Sequence, residues 1–288
     1  MENYEIIIAV LLSFAGAALL IFGIWRYMIA PRRRDNNIDK YVFARYAHRG
    51  LHGDGACENS LTAFRRAVES GYGIELDIRM SRDGVLVVHH DATLLRICGI
   101  DKKVNELDAS ELGRIKLSTT DDTVPTLREV LDTVDGRVPL LIEIKAEKDE
   151  ISVAEKFVYE IEGYKGDFIV ESFNPFALKT VRKHRPDIFL GILSTEYTKS
   201  EKYRGKPLFF ALQHLMLNFL ARPDFVAYDK HGYNVFALKM LKKVYKTPMF
   251  AWTVKSRAEE EEAHQHGFDT VIFEGYTPEE NERMNYEA

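Results

Sequence analysis

The chain has 288 residues, of which 39 are Lys or Arg and 44 are Asp or Glu, giving a formal net charge of −5. Its 46% hydrophobic and 29% charged residues match ordinary globular usage and exclude a disordered or collagen-like chain. The slight acidic excess argues against nucleic acid as a partner, so a phosphate ligand needs local cations or a metal to hold it.

After a short tail, residues 1–5, comes the charge-free run IIIAVLLSFAGAALLIFGIW at 6–25. A helix of that length covers about 30 Å, the thickness of a bilayer's hydrocarbon, and the unbroken apolarity predicts a membrane span in preference to a buried soluble helix. Glu2 and Glu5 precede it without Lys or Arg, unlike the basic start of a cleaved export signal. Arg26, Arg32, Arg33 and Arg34 follow it. The positive-inside rule then predicts a single-pass protein of the cell membrane with its soluble part cytoplasmic; the same arginines also suit anionic headgroups. Residues 26–39 read as a basic juxtamembrane linker and 40–288 as one domain.

Within that domain short apolar, β-branched segments alternate with longer amphipathic ones. Strands are predicted at 42–48, 74–80, 140–145, 168–172, 188–193, 225–228, 249–254 and 270–274. Helical periodicity occupies 59–70, 126–134, 150–164, 175–184, 207–220, 234–246 and 256–266. Several strands stay apolar until a polar residue near the C-terminal end, the pattern of a parallel sheet covered on both faces. Eight such strands over about 250 residues favour an α/β fold of the TIM-type (β/α)₈ barrel class over an open doubly wound sheet. The segment VLVVHH at 85–90 is an extra short strand in the connection after the second barrel strand. The run LFFALQHLMLNFL at 208–220 is read as a barrel helix, with lipid contact as the alternative. Cys57 and Cys98 are too few for a disulfide scaffold and are read as unpaired thiols, with a single bridge between them as the alternative.

The chemistry gathers where predicted strands end, as it does in barrels. His48-Arg49-Gly50 closes the first strand. Glu75 and Asp77, two residues apart in the second, point to one side, and Glu143 and Lys145 repeat that spacing on a later strand. Like-charged side chains so close are costly unless solvent, hydrogen bonds or a cation compensates, and carboxylates from separate strand ends suit an oxygen-rich cradle for a hard divalent cation. His89-His90-Asp91 adds imidazoles that titrate near neutral pH. Arg49 and Lys145 offer a planar fork and a mobile ammonium to a phosphate.

The chain resembles the glycerophosphodiester phosphodiesterase family. The shared segments are HRG, ENSLTAF at 58–64, GIELDIRMSRDGVLVVHHD at 73–91, IEIK at 142–145, SFNP at 172–175, AWTV at 251–254 and DTVIFEG at 269–275. They occur in the expected order across nearly the whole soluble domain. The resemblance implies a barrel using calcium or magnesium, with Glu75, Asp77 and Glu143 as metal carboxylates and His48 and His90 as the acid/base pair. It further implies Arg49 and Lys145 as phosphate ligands, Glu58 as organiser of the first loop or a group near the metal, and His89 as a structural neighbour. Trp252 suits the substrate pocket, its rim or the core, and Ser172 and Asn174 suit capping or turn roles. The implied reaction is hydrolysis of a glycerophosphodiester to sn-glycerol 3-phosphate and an alcohol. Alternatives are a lysophospholipase D-like activity on lysophospholipids and an inactive membrane sensor of phosphorylated ligands. Departures occur at Cys57, where the family often has proline, at Lys255 in place of a frequent asparagine, and in the closing FEG. They bear on the leaving group more than on the phosphodiester chemistry.

Overall fold

A computed structural model of the chain describes residues 2–33, 35–146 and 151–278. Arg34 of the basic cluster, the predicted helix start at 150 and the domain's end beyond 278 lie outside the described residues.

Eight parallel strands form the barrel: β1 Tyr46–Ala47, β2 Gly73–Met80, β4 Leu140–Ile144, β5 Phe168–Ser172, β6 Leu190–Ser194, β7 Phe225–Asp229, β8 Met249–Val254 and β9 Thr270–Phe273. β3, Leu86–Val88, lies antiparallel along the end of β2, as its apolar run in the long connection suggested. β1 pairs with β2 on one side and β9 on the other, which closes the sheet. Helices return the chain between strands, so their N-termini lie at the same end of the barrel as the strand C-termini.

Alternation along each strand sorts side chains into two layers. Ile74, Leu76 and Ile78 on β2, with Leu140, Ile142 and Ile144 on β4, face the helices and join the larger apolar cluster. Leu141, Ile169, Leu193, Phe225, Phe250 and Ile272 point into the barrel. Gly191 leaves room there, since a Cβ in its place would come within 2.2 Å of the Phe225 ring. By the same parity Glu75, Asp77, Glu143 and Glu171 point inward.

The first predicted strand is much shorter than 42–48. Only its first residue, Val42, is helical, as the end of the turn Asp39–Val42, and residues 43–45 are irregular; Ile38, Tyr41 and Val42 pack with the inward residues at the end away from the strand C-termini. A short apolar run has no period long enough to separate a turn from a strand, and here closing the barrel floor decided the outcome. The helix predicted at 207–220 also breaks. It runs Pro207–Gln213, then Leu215 takes a left-handed φ of 57° and buries its side chain, and a short turn follows at Asn218–Leu220.

The N-terminal run continues as one helix, Glu2–Ile29, whose stretch Tyr4–Ile29 contains an 18-residue window with a mean hydropathy of 2.7 and is long and apolar enough to cross a membrane. Its last turn packs on the barrel. Ile29 is fully buried, and the Asn218 side chain donates to its carbonyl at 3.0 Å. Cys57 and Cys98 are free thiols.

Candidate active site

The turn after β1 builds one wall of the site. Arg49 adopts a left-handed φ of 57° and Gly50 one of 81°. A side chain at position 50 would collide with Ala63 and Phe64 at 2.9 Å. The turn aims the Arg49 backbone N–H at Glu75 Oε2, 2.8 Å away. Holding a non-glycine residue in that conformation costs about 1 kcal/mol or more, and the buried carboxylate it reaches is one compensation. Asn59, also left-handed, donates from Nδ2 to Asp77 Oδ2 at 2.8 Å.

Oxygens of Glu75, Asp77 and Glu143, all three buried, lie within 4.8 Å of one another. Lys145 Nζ stands 2.6 Å from Glu143 Oε2 and 3.0 Å from Asp77 Oδ1, and Arg49 Nε stands 3.4 Å from Asp77 Oδ2. Glu171 on β5 joins them, because it is in register with Glu143. It is 1% exposed, and its Oε2 has no hydrogen-bond partner among the described residues. The inner layer thus holds four carboxyl groups against two cationic side chains. Burial, then repulsion from Asp77 and Glu143, pushes Glu75 well above the usual carboxylate range. Burial and the neighbouring Glu75 and Glu143 do the same to Glu171. Burial pushes Glu143 up to about 7, since repulsion by Asp77 offsets much of the attraction of Lys145. Asp77 is the exception: burial opposes its charge, but Lys145, His90 and Arg49 hold its carboxyl well below the ordinary range. An oxygen-only set with surplus negative charge and an orphaned carboxyl oxygen fits a hard divalent cation.

Two histidines flank this cluster. His48 Nδ1 lies 2.7 Å from Glu274 Oε2, and His90 Nδ1 lies 2.7 Å from Asp91 Oδ1. A carboxylate only accepts, so each Nδ1 donates, and in the neutral ring Nε2 carries the open lone pair. Glu274 and Asp91 are both held down to about 2: Glu274 mainly by its hydrogen bond from His48, Asp91 by Arg96 and His90 against the cost of burial. Burial, with Lys145 and Arg49 nearby, lowers His90 to about 4.

His90 arrives on the excursion between β2 and β4, which has its own small core of Val87, Leu94, Val104, Leu107, Leu112, Leu117 and Val124. A chain of charges ties that excursion to the Arg49 turn. Arg96 donates to Asp91 at 2.6 Å and in a fork to both oxygens of Glu58 at 2.8 Å, and Glu58 Oε1 accepts from Arg49 Nη1 at 2.7 Å. Glu58 therefore organises the loop through Arg49 and Arg96 and is not among the three grouped carboxylates. Although burial opposes its charge, the two arginines hold it down to about 2.

A group depressed in the folded state stabilises above its unfolded value and loses that contribution as pH falls through the folded one. Glu58→Gln is accordingly expected to cost about 1–3 kcal/mol near neutral pH, with the deficit shrinking as pH falls from about 4.5 toward 2. Denaturant unfolding of both proteins at about pH 7 and about pH 3 checks this; an equal deficit at both would remove the charge chain as its cause.

The remaining predicted residues divide. Trp252 borders the site edge-on to Phe173, at 5.6 Å between ring centroids, and its buried Nε1 has no hydrogen-bond partner among the described residues. Ser172 donates to the Ile144 carbonyl, and Asn174 caps the helix Pro175–His184, so both do local structural work. His89 is buried beside the Thr93 carbonyl, and His214 packs on Phe210 away from the cluster. The reading from sequence missed Glu171, Asn59, Arg96 and Glu274 as contributors. Glu171 did carry a signal, a lone carboxylate at an inward position of an otherwise apolar strand.

His48, His90, Arg49, Lys145, Glu75, Glu143 and Glu171 line a cavity of about 90 Å³. Phe173 also lines a wider cleft of about 760 Å³, with Glu196, Tyr197, Lys199, Tyr203, Asp229 and His231 among its other residues. Among the described residues the wider cleft lacks the carboxylate cluster, which borders the smaller cavity.

Residues 48–275 match the family model described as the glycerophosphoryl diester phosphodiesterase family. A glycerophosphodiester phosphodiesterase of Caldanaerobacter subterraneus subsp. tengcongensis is 31% identical over 159 residues, which cover 51% of this chain and 65% of that protein. The chain thus spans just under two thirds of this relative's length. Among solved structures, a glycerophosphodiester phosphodiesterase of Thermotoga maritima superposes with a TM-score of 0.61 at 28% identity, covering 80% of this chain and 94% of that one. An Oleispira antarctica phosphodiesterase in complex with the product sn-glycerol-3-phosphate shares the fold, with a TM-score of 0.68 at 23% identity over 81% of this chain and 94% of that one.

Proposed function

Because the chain belongs to the glycerophosphoryl diester phosphodiesterase family, we propose that it hydrolyses glycerophosphodiesters to sn-glycerol 3-phosphate and an alcohol. The observation that carries this reading is the joining, around one small cavity, of two carboxylate-backed histidines, a three-carboxylate cluster and two cationic side chains. Glu75, Asp77 and Glu143 hold a divalent cation, calcium or magnesium, which when bound supplies Lewis-acid polarisation of a phosphoryl oxygen.

Arg49 and Lys145 oppose the remaining charge on the phosphoryl group through charge-assisted hydrogen bonds. One histidine takes the proton of the attacking hydroxyl and the other returns one to the departing alkoxide. Glu274 and Asp91 fix the rings so that Nε2 does this work. The attacking hydroxyl is the substrate's own glycerol hydroxyl, which gains from proximity, and water then opens the resulting cyclic phosphate. Phe173 lines both the small cavity, beside Trp252, and the wider cleft, where the leaving alcohol has room.

The apolar helix anchors the protein in the cell membrane, and Arg26, Arg32 and Arg33 after the run support a cytoplasmic catalytic domain. A reporter fused to the C-terminus and found outside the cell would reverse that orientation.

Product analysis tests the activity. Purified full-length protein, stripped of metal and then given calcium or magnesium, is expected to release sn-glycerol 3-phosphate only after metal is restored, with a cyclic glycerol phosphate passing through as intermediate. Metal-loaded protein that binds the diesters without turnover would sink the enzymatic reading, and single-step uptake of labelled water without the cyclic species would sink the internal-nucleophile route.

A further inference from the structure

The mouth of the barrel has a direction relative to the N-terminal helix. The helix Phe236–Met240 begins at the mouth end, where β7 finishes, and its continuation Leu241–Tyr245 descends toward the floor. Trp25 stacks on Phe236 with ring centroids 5.3 Å apart, and Phe22 stacks on Trp25 at 5.7 Å. Further along, the Tyr245 hydroxyl donates to the Arg26 carbonyl at 3.3 Å, and Arg32 N–H donates at 3.0 Å to the carbonyl of Pro223, just before β7 begins at the floor. From Trp25 to Arg32 the chain therefore runs from mouth to floor. The rest of the helix, from Phe22 back to Tyr4, projects the other way, about 27 Å past the mouth, and none of this span is buried.

The same end of the barrel carries exposed apolar side chains. Outside the N-terminal helix, nine large apolar residues among those described are exposed. Five of the nine occupy the first four positions of helices that follow β4 to β7, and so ring the mouth: Ile151, Phe176, Leu208, Phe210 and Phe236. Leu208, Phe210 and Phe236 are each more than half exposed. The connection before Leu208 adds Lys199, Lys202, Arg204 and Lys206 against only Glu196 and Glu201. Apolar tips beside a net positive loop are what a headgroup interface recruits, the one entering the acyl boundary and the other meeting anionic lipid.

We infer that the mouth of the barrel, through Leu208, Phe210, Phe236 and the lysines beside them, rests on the bilayer that the N-terminal helix enters, so that the active site opens toward the lipid surface. The inference rests on reading that helix as an anchor, and it extends the proposed reaction to a second substrate class, for which the product is an acylated glycerol phosphate in place of sn-glycerol 3-phosphate. Lysophospholipids, which keep one acyl chain in the bilayer, reach the wide cleft laterally. The exposed half of the segment at 208–220 thereby serves lipid contact, while its buried half, Gln213, Leu215 and Asn218, serves packing.

The test uses the full-length protein in nanodiscs of mixed phosphatidylcholine and phosphatidylglycerol, with a benzoylphenylalanine photo-crosslinker replacing Leu208, Phe210, Phe236 or Tyr159 one at a time. Tyr159 is 71% exposed but lies near the end of its helix, at the floor. Lipid adducts are expected at the three mouth positions and not at Tyr159. Equal adduct yields at all four, or crosslinks from the mouth to a second copy of the chain, would overturn the orientation. This readout needs no turnover, so it stands or falls apart from the enzymatic reading. In addition, the pair Leu208→Asp and Phe210→Asp is expected to lower kcat/KM on a vesicle-embedded lysophospholipid about tenfold or more, with a water-soluble glycerophosphodiester unaffected. An equal loss on both substrates would refute the lipid role.

Discussion

His90→Ala and His48→Ala are each expected to lower turnover of a glycerophosphodiester by about 10²–10⁴-fold, the usual worth of a positioned acid or base. Neither change should unfold the protein. The His90 side chain is 31% exposed and the His48 side chain 16%, and each ring is held by one carboxylate and not by the apolar core. The double variant should lose less than the product of the single losses, because groups that act in one proton circuit are not additive. Asp91→Asn and Glu274→Gln should give smaller losses than the alanine variants, since they leave the imidazole in place but weaken its orientation. Steady-state kinetics on folded protein, with circular dichroism as the control, decides the matter. Near wild-type turnover by both single variants would remove the histidines from the reaction.

Glu75→Gln should separate metal binding from folding stability. In the metal-free protein Glu75 stands among like charges and is pushed well above the usual carboxylate range, so losing its charge should leave the melting temperature unchanged or raise it. The glutamine carbonyl can still accept from the Arg49 backbone N–H. Metal response is the opposite case. Saturating cation is expected to raise the melting temperature of the wild type by about 5 °C or more at a hundredfold excess over Kd, and to raise that of Glu75→Gln far less. Activity should fall about a hundredfold with it.

The pH dependence has a definite sign. Glu143 is raised in the folded, metal-free state to about 7, above its unfolded value of about 4.3. Its contribution is therefore present at low pH and is lost as pH rises through about 7. Metal-free protein should lose stability between mildly acidic and mildly alkaline pH, and bound cation should reverse the trend by favouring the ionised carboxylates. Thermal melts across that range, with and without magnesium, measure this; a cation-independent profile would take Glu143 out of the metal site.

Much of this architecture was legible before any tertiary information. Alternating strand and helix periods predicted the parallel barrel, because a strand buried on both faces must be apolar throughout and a crossover helix must be amphipathic. The period of two put Glu75 with Asp77 and Glu143 with Lys145 on one side of their strands. Departures from the familiar pattern were visible too, but their meaning was not. The closing FEG read as a change near the leaving group, yet Glu274 is the carboxylate that holds His48.

Sequence by itself determined the fold class, the apolar helix and the residue types at the strand ends, because each is set by neighbours two to four positions away. Tertiary structure alone decided what depends on closure. His48 and Glu274 meet across 226 positions only because β1 pairs with β9, and Glu171 joins the carboxylates only through its register with Glu143. The same holds for the helical turn under the floor and for the side of the barrel from which the N-terminal helix leaves. Local periodicity says which face of an element is apolar; only the packed chain says what that face meets.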